Sequence, residues 1–339
     1  MNPDLQDYSH KRLNILTNEW VLVSPHRAKR PWQGQNEEVS NQIRPTYESS
    51  CYLCAGNKRI NGEVNPTYED VYVFTNDFAA LQNDSKFFQI NDGLLKAQSE
   101  TGICKVICFS PDHSKSLADM SSSEIQKVVL AWQNEYKELG KIENINYVQI
   151  FENKGAVMGC SNSHPHGQIW SQSTLPNEVE KKDKQQRLYY DKVNSSLLGD
   201  YLKQELKLQE RIIFENEAFV VLIPFWAVWP FETMIIPKKH QSNILALNKE
   251  ESLQYAEAIS VITKAYDKLF DTSFPYSSGI HQAPTDGNDN NHWHWHMSFY
   301  PPLLRSASVK KFMVGYEMFG SPQRDITPEI ASKMIKDLL

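Results

Sequence analysis

Between Ser121 and Gly140 apolar residues recur every three to four positions. Ile125, Val128, Val129, Trp132, Tyr136 and Leu139 trace one face of a helix, and Ser121 with Glu124 forms a capping box at its start. A second helix is predicted over 248–270, capped by Asn248 and Glu251. Its apolar positions are Leu253, Ala256, Ile259, Ala265, Tyr266 and Leu269. Each helix follows an apolar strand that runs into a proline and a histidine. The first is KVICFSPDHS, with Pro111 and His113; the second is TMIIPKKHQS, with Pro237 and His240. Each helix also precedes another strand and a histidine-rich stretch, NYVQIFENKG then His164 and His166, and PYSSGIHQAP then HWHWHMSFY. The same order of elements occurring twice predicts an α+β fold of duplicated units, mainly antiparallel sheet with packed helices. The charged run PNEVEKKDKQQR, 176–187, has Val179 as its one apolar residue beyond the opening proline. Taken alone it is either a solvated helix start or a connection. The duplication favours a connection, dividing the chain into halves 1–178 and 179–339.

Bulk properties narrow the class. A chain of 339 residues with 40% hydrophobic and 22% charged residues suits a soluble globular protein of one large or two ordinary domains. The N-terminus lacks a secretion-type apolar core, and no stretch approaches the length of a membrane span, so no membrane partner is expected. A net charge of −6 argues against nucleic acid but permits a small phosphate ligand held by local basic residues. Five cysteines, an odd number, point to a reducing compartment and a cytoplasmic location.

The chemistry concentrates in SNSHPHGQIW, 161–170. One imidazole of the pair could serve a structural site while the other faces an open pocket. Period-two alternation would put His164, His166 and Gln168 on one strand face, unless Pro165 and Gly167 twist the segment. This His-x-His-x-polar pattern resembles the histidine-triad superfamily of nucleotidyl transferases and hydrolases, with Gln168 where a third histidine usually stands. An imidazole attacking a nucleotide α-phosphorus forms a phosphoramidate. A glutamine cannot activate water, which favours transfer to a second, already ionised phosphate over hydrolysis.

Further segments sharpen the resemblance. SPHRAKRPWQG, CYLCAGN, VFTNDFAAL, ICFSPDHS, FENKGAVMGCSNSHPHGQIW, WPFET, FYPPLLRS and KKFMVGYEM together resemble the galactose-1-phosphate uridylyltransferases over almost the whole chain. The resemblance implies ping-pong exchange of UMP between UDP-glucose and galactose-1-phosphate, with His166 as nucleophile and Gln168 bonding a phosphoryl oxygen. A backbone carbonyl near His164 would fix the His166 tautomer. It further implies that Arg27 and Arg30 meet phosphate or base and that Asn76 and Asp77 meet the ribose. Asn153, Gly159, Cys160 and Ser161 would line the phosphate pocket. Lys311, Phe312, Tyr316, Glu317 and Gln323 would contact the hexose or its phosphate, across the interface of a homodimer. Read without the resemblance, these arginines are equally solvated side chains and FTNDF a turn. The competing functions are a dinucleotide phosphorylase or nucleotide hydrolase of the same superfamily, and a non-catalytic zinc-stabilised nucleotide-binding protein.

Two metal positions receive different expectations. Cys51 and Cys54 have the C-x-x-C spacing of a zinc clamp, a redox pair or two free thiols being the alternatives. The resemblance supplies His113 and His164 as the other ligands of a structural zinc, while Cys104 and Cys108 read as core. Relatives often hold a second ion, iron or zinc, for which His281 and His296 match. Ser298 stands at the last histidine position and Lys182 at the acid position, with Glu180 and Asp183 beside it. Serine and lysine are poor transition-metal ligands, so this second site is expected to be weak or empty unless His294 compensates. Trp293 and Trp295 read as core.

Overall fold

The computed structural model describes residues 4–29 and 44–339. Among these, nine strands form one sheet: β1 (Tyr72–Thr75), β2 (Gly102–Cys108), β3 (Tyr147–Lys154), β4 (His166–Gln172), β5 (Ile212–Glu215), β6 (Phe219–Leu222), β7 (Thr233–Pro237), β8 (Tyr276–His281) and β9 (His296–Tyr300). Their order across the sheet is β1-β2-β4-β3-β8-β9-β7-β6-β5, and every neighbouring pair is antiparallel. The order is symmetric about the β3–β8 seam, apart from the extra edge strand β5. At the seam Phe151 pairs with Gly279; one strand outward these pair with Gln168 and Ser298. The predicted duplication is therefore built as two units sharing one continuous sheet.

The two predicted helices are α1 (Ser122–Gly140) and α4 (Lys249–Leu269). Both capping boxes form as expected. The helices pack on each other and on one sheet face, where Ile150, Ile169, Ile280, Met297 and Phe299 meet Val128, Trp132, Ile259 and Tyr266. Leu253 departs from the expectation, being 42% exposed. Ser252, Tyr255, Ala256 and Ile259 already fill the inward stripe, and Leu253 falls beyond its edge.

The charged run opens a helix, α2 (Asn177–Val193), followed by α3 (Leu197–Leu208). Val179 of α2 packs with Trp293 and Tyr147. At the far end, Arg12 makes a two-pronged, buried ion pair with Glu329 of α5 (Pro328–Lys336), tying the strand His10–Asn14, which lies outside the large sheet, to the last helix. No helix among the described residues is long and apolar enough to cross a membrane.

Candidate active site and metal centre

Strand alternation divides β4 cleanly. Ile169 points to the helices, while His166, Gln168 and Trp170 point to the opposite face. His164 lies two residues before the strand begins, so it is released from the face it would share with His166 and turns into a separate cluster. Gly167 is required at the crossing: an added Cβ would lie 2.9 Å from both the Phe109 ring and the Phe151 carbonyl.

His166 Nδ1 lies 2.7 Å from the His164 carbonyl oxygen. That oxygen can only accept, so Nδ1 carries the proton and Nε2 keeps a lone pair. Burial pushes the His166 pKa below the ordinary histidine value, favouring the neutral ring. Trp170 Nε1–H donates to Gln168 Oε1 at 3.0 Å, which orients the amide and leaves its NH2 free to donate.

Two cavities meet at His166. One, about 230 Å³, is lined by Tyr52, Phe74, Phe78, Asn76, Asp77 and Gln168. The other, about 360 Å³, includes Arg44, Lys115 and Lys154, offset in part by Glu152, together with Asn153, Cys160 and Ser161. Asn76, Asp77, Asn153, Cys160 and Ser161 thus gather around the two candidate catalytic side chains. Gly159 sits beside them as a left-handed helix cap with φ 81°, a backbone role rather than a cavity wall. Arg27 instead pairs with Asp325 at 3.0 Å. Arg30 lies outside the described residues. Lys311, Phe312, Tyr316, Glu317 and Gln323 line neither cavity. Lys311 pairs with Glu317, Phe312 packs edge-on to Trp229, and Gln323 bonds Asp325.

Arg44, Lys115 and Lys154 were not singled out from sequence. Arg44 donates to the Ser163 carbonyl at 2.8 Å. Lys115 pairs with Glu124 and Lys154 with Asp267, so the charges of these two lysines are partly offset. Lys154 lies within FENKGA, where the motif itself was a signal; Arg44 and Lys115 carried none.

The side chains of Cys51, Cys54, His113 and His164 are all buried, with ligand atoms within 4.8 Å of one another. Cys54 Sγ is 3.5 Å from Nδ1 of both His113 and His164, and the two Nδ1 atoms are 3.4 Å apart. A tetrahedral ion with ordinary zinc bond lengths would space sulfur and nitrogen by ~3.5 Å and two nitrogens by ~3.3 Å. The residues therefore fit a metal. Their tautomers fit as well: Tyr68 OH donates to the Leu53 carbonyl and receives His164 Nε2–H at 2.9 Å, leaving Nδ1 to bind. Burial lowers the His164 pKa to about 4 and raises that of Cys54 to about 11, so the imidazole is ready to ligate while the thiol needs a cation to ionise. Asn162 joins the cluster to the active-site turn, accepting from His164 N at 2.9 Å and donating to Cys51 Sγ at 3.4 Å. Tyr68 and Asn162 are supports that no spacing rule identifies. Cys104 and Cys108 are fully buried, as expected of core.

The second cluster does not fit a metal. His281 and His296 stack with ring centroids 4.8 Å apart, but Lys182 Nζ sits 3.0 Å from the His281 ring nitrogens. Asp183 is engaged with His292 and Trp293, and Glu180 is exposed. His294 does not compensate, because its nitrogens bond Ser196 Oγ and the Pro237 carbonyl. Trp293 and Trp295 are fully buried, in keeping with their core reading.

Sequence and fold comparisons find relatives along the whole chain. Residues 1–176 and 180–339 match the N- and C-terminal domains of galactose-1-phosphate uridyl transferase. The chain is 53% identical to galactose-1-phosphate uridylyltransferase of Haemophilus influenzae, covering 98% of this chain and 95% of that one. It is 47% identical to the Saccharomyces cerevisiae protein of the same name, over 99% of this chain and 96% of the other. A solved uridylyltransferase structure superposes with a TM-score of 0.77 at 26% identity, over 98% of both chains. An ADP-glucose phosphorylase from Arabidopsis thaliana shares the fold, with a TM-score of 0.77 at 24% identity, over 97% of this chain and 99% of the other. With both domains matched and identity this high along its length, the chain belongs to the galactose-1-phosphate uridyl transferase family.

Proposed function

We propose that the protein exchanges UMP between UDP-glucose and galactose-1-phosphate through a covalent uridylyl-histidine at His166. The observation that carries this reading is the His166 ring, held by the His164 carbonyl with Nε2 free where the two cavities meet. Nε2 attacks the α-phosphorus of UDP-glucose, a P–N bond forms, and the P–O bond to the β-phosphate breaks. Glucose-1-phosphate leaves with the electron pair. The positive charge left on the ring is stabilised by the Nδ1–H bond to the His164 carbonyl. A phosphate oxygen of galactose-1-phosphate then attacks, the P–N bond breaks, and neutral imidazole returns. Neither step needs a general base, consistent with a glutamine at position 168. The oriented Gln168 amide donates to a non-bridging oxygen on the α-phosphorus. The aromatic cavity with Asn76 and Asp77 suits the nucleoside, and the basic cavity with Asn153, Cys160 and Ser161 suits the sugar phosphate. By the resemblance Arg27 and Arg30 would meet phosphate or base, Arg27 by giving up its Asp325 partner, with Gly159 shaping the turn beside the cavity.

Cys51, Cys54, His113 and His164 would hold a structural zinc. Zinc there would supply charge that keeps the thiolates ionised. His164, fixed at its ring, presents its backbone oxygen to His166. The protein would work in the cytoplasm as two halves, 1–178 and 179–339, and as a homodimer. Lys311, Phe312, Tyr316, Glu317 and Gln323 stand away from His166 within one chain, while the neighbouring Met318 and Phe319 are 71% and 92% exposed. A partner subunit would cover these and receive the hexose-binding side chains.

The test is to mix the protein with UDP-glucose and no acceptor. Stoichiometric glucose-1-phosphate release with acid-labile UMP on the protein is expected, and both should vanish in His166→Gly. Galactose-1-phosphate should then discharge the label as UDP-galactose. Continuous release of free UMP would replace this reading with a hydrolase, and binding without release would leave a non-catalytic protein.

A further inference from the structure

The second histidine cluster has a feature that a merely vacant metal site would not need. His281 ends β8 and pairs directly with His296 at the start of β9. Both rings stand on the sheet face away from α1 and α4, and α2 closes over them. Into this space α2 sends Lys182, which is 6% exposed. Its Nζ lies 3.0 Å from the His281 ring nitrogens, while His296 Nε2 beside it is buried without a hydrogen-bond partner. A protonated amine is a compact donor with no lone pair to spare, and each neutral imidazole beside it offers one acceptor nitrogen.

We propose that the Lys182 amine is this chain's built-in replacement for a metal ion, joining α2 to the β8–β9 pair and excluding a second ion from the fold. The protein is then a one-metal protein whose second cluster is closed by a side chain. One substitution on the helix supplies the group, and Ser298 removes a competing ligand.

Metal content of the purified full-length protein, measured by mass spectrometry, tests this. One equivalent per chain is expected, lost in Cys51→Ser and retained in His281→Asn. Lys182→Glu combined with Ser298→His should raise the content to two, with Co(II) giving visible absorption and raising the melting temperature. Lys182→Met should lower the melting temperature by about 2–4 °C without adding metal. A second equivalent in the unaltered protein that disappears in His281→Asn would overturn the proposal. So would a double variant that folds but gains no metal. Failure of the Cys51→Ser arm alone would refute the zinc reading of the first cluster and leave this one standing.

Discussion

The two halves carry the same strand geometry to opposite ends. Gln168 and Ser298 hold matching positions about the seam, as do His166 and His296. In the first half, His166 Nδ1 meets the His164 carbonyl at 2.7 Å and its ring borders two cavities. In the second, the corresponding His296–His294 approach is 3.5 Å, and α2 covers the face. His113 and His164 converge on two cysteines, whereas His240 and His294 stack and spend Nε2 bonds on the Trp293 and Pro237 carbonyls. Strand register brings two histidines together in either half. Reactivity depends on what stands over them: open space and an oriented amide in one, a helix and a lysine in the other.

Substitution at the matching histidines breaks the comparison most directly. His166→Gly should cut steady-state turnover by at least ~10³-fold, since the nucleophile is gone. His296→Asn should leave the folded protein within ~10-fold of normal. Equal losses would mean that both halves perform chemistry. Next comes the metal cluster: Cys54→Ser should lose the ion and several kcal/mol of folding stability in a denaturant titration, on the order of a structural metal's contribution. His294→Asn, at the position that matches the ligand His164, should retain the ion.

Gln168→Ala should lower kcat by ~10²-fold, as expected for one donor to a charged transition state. Trp170→Phe removes only the group that orients that amide, so a smaller loss, ~10-fold or less, is expected. If Trp170→Phe matched Gln168→Ala, the indole would have to contact substrate itself. The smallest effect concerns pH. Attack needs neutral His166, and burial moves its pKa down. The acid limb of kcat/KM should therefore fall below the ordinary histidine value of ~6.5, activity persisting as pH drops through that point. A limb at or above 6.5 would mean that the ring is more solvated than its surroundings indicate.

The sequence revealed these sites unevenly. Both long helices were legible because caps and period are local: Ser121, Glu124, Asn248 and Glu251 announce themselves within four residues. Leu253 misled because apolar identity does not specify direction at the margin of a stripe. Cys51 and Cys54 were legible by spacing, but His113 and His164 needed family resemblance, since their convergence depends on bringing together segments 51 to 110 residues apart. Tyr68, Asn162 and Arg44 were illegible for the same reason: each is an isolated polar residue whose role exists only after distant segments meet. Lys182 was visible as a lysine where an acid is usual. Its placement against His281 was not, because helix docking decides it.

The β3–β8 seam limits how the protein can move. Backbone hydrogen bonds run through it without a break, and Gln149 and Ser277 side chains lace across it to Ile280 and Asn153. The halves therefore cannot swing apart like jaws on a hinge. Substrate and product therefore have to reach His166 through the two cavities that border it, while the strand register that sets its position stays fixed.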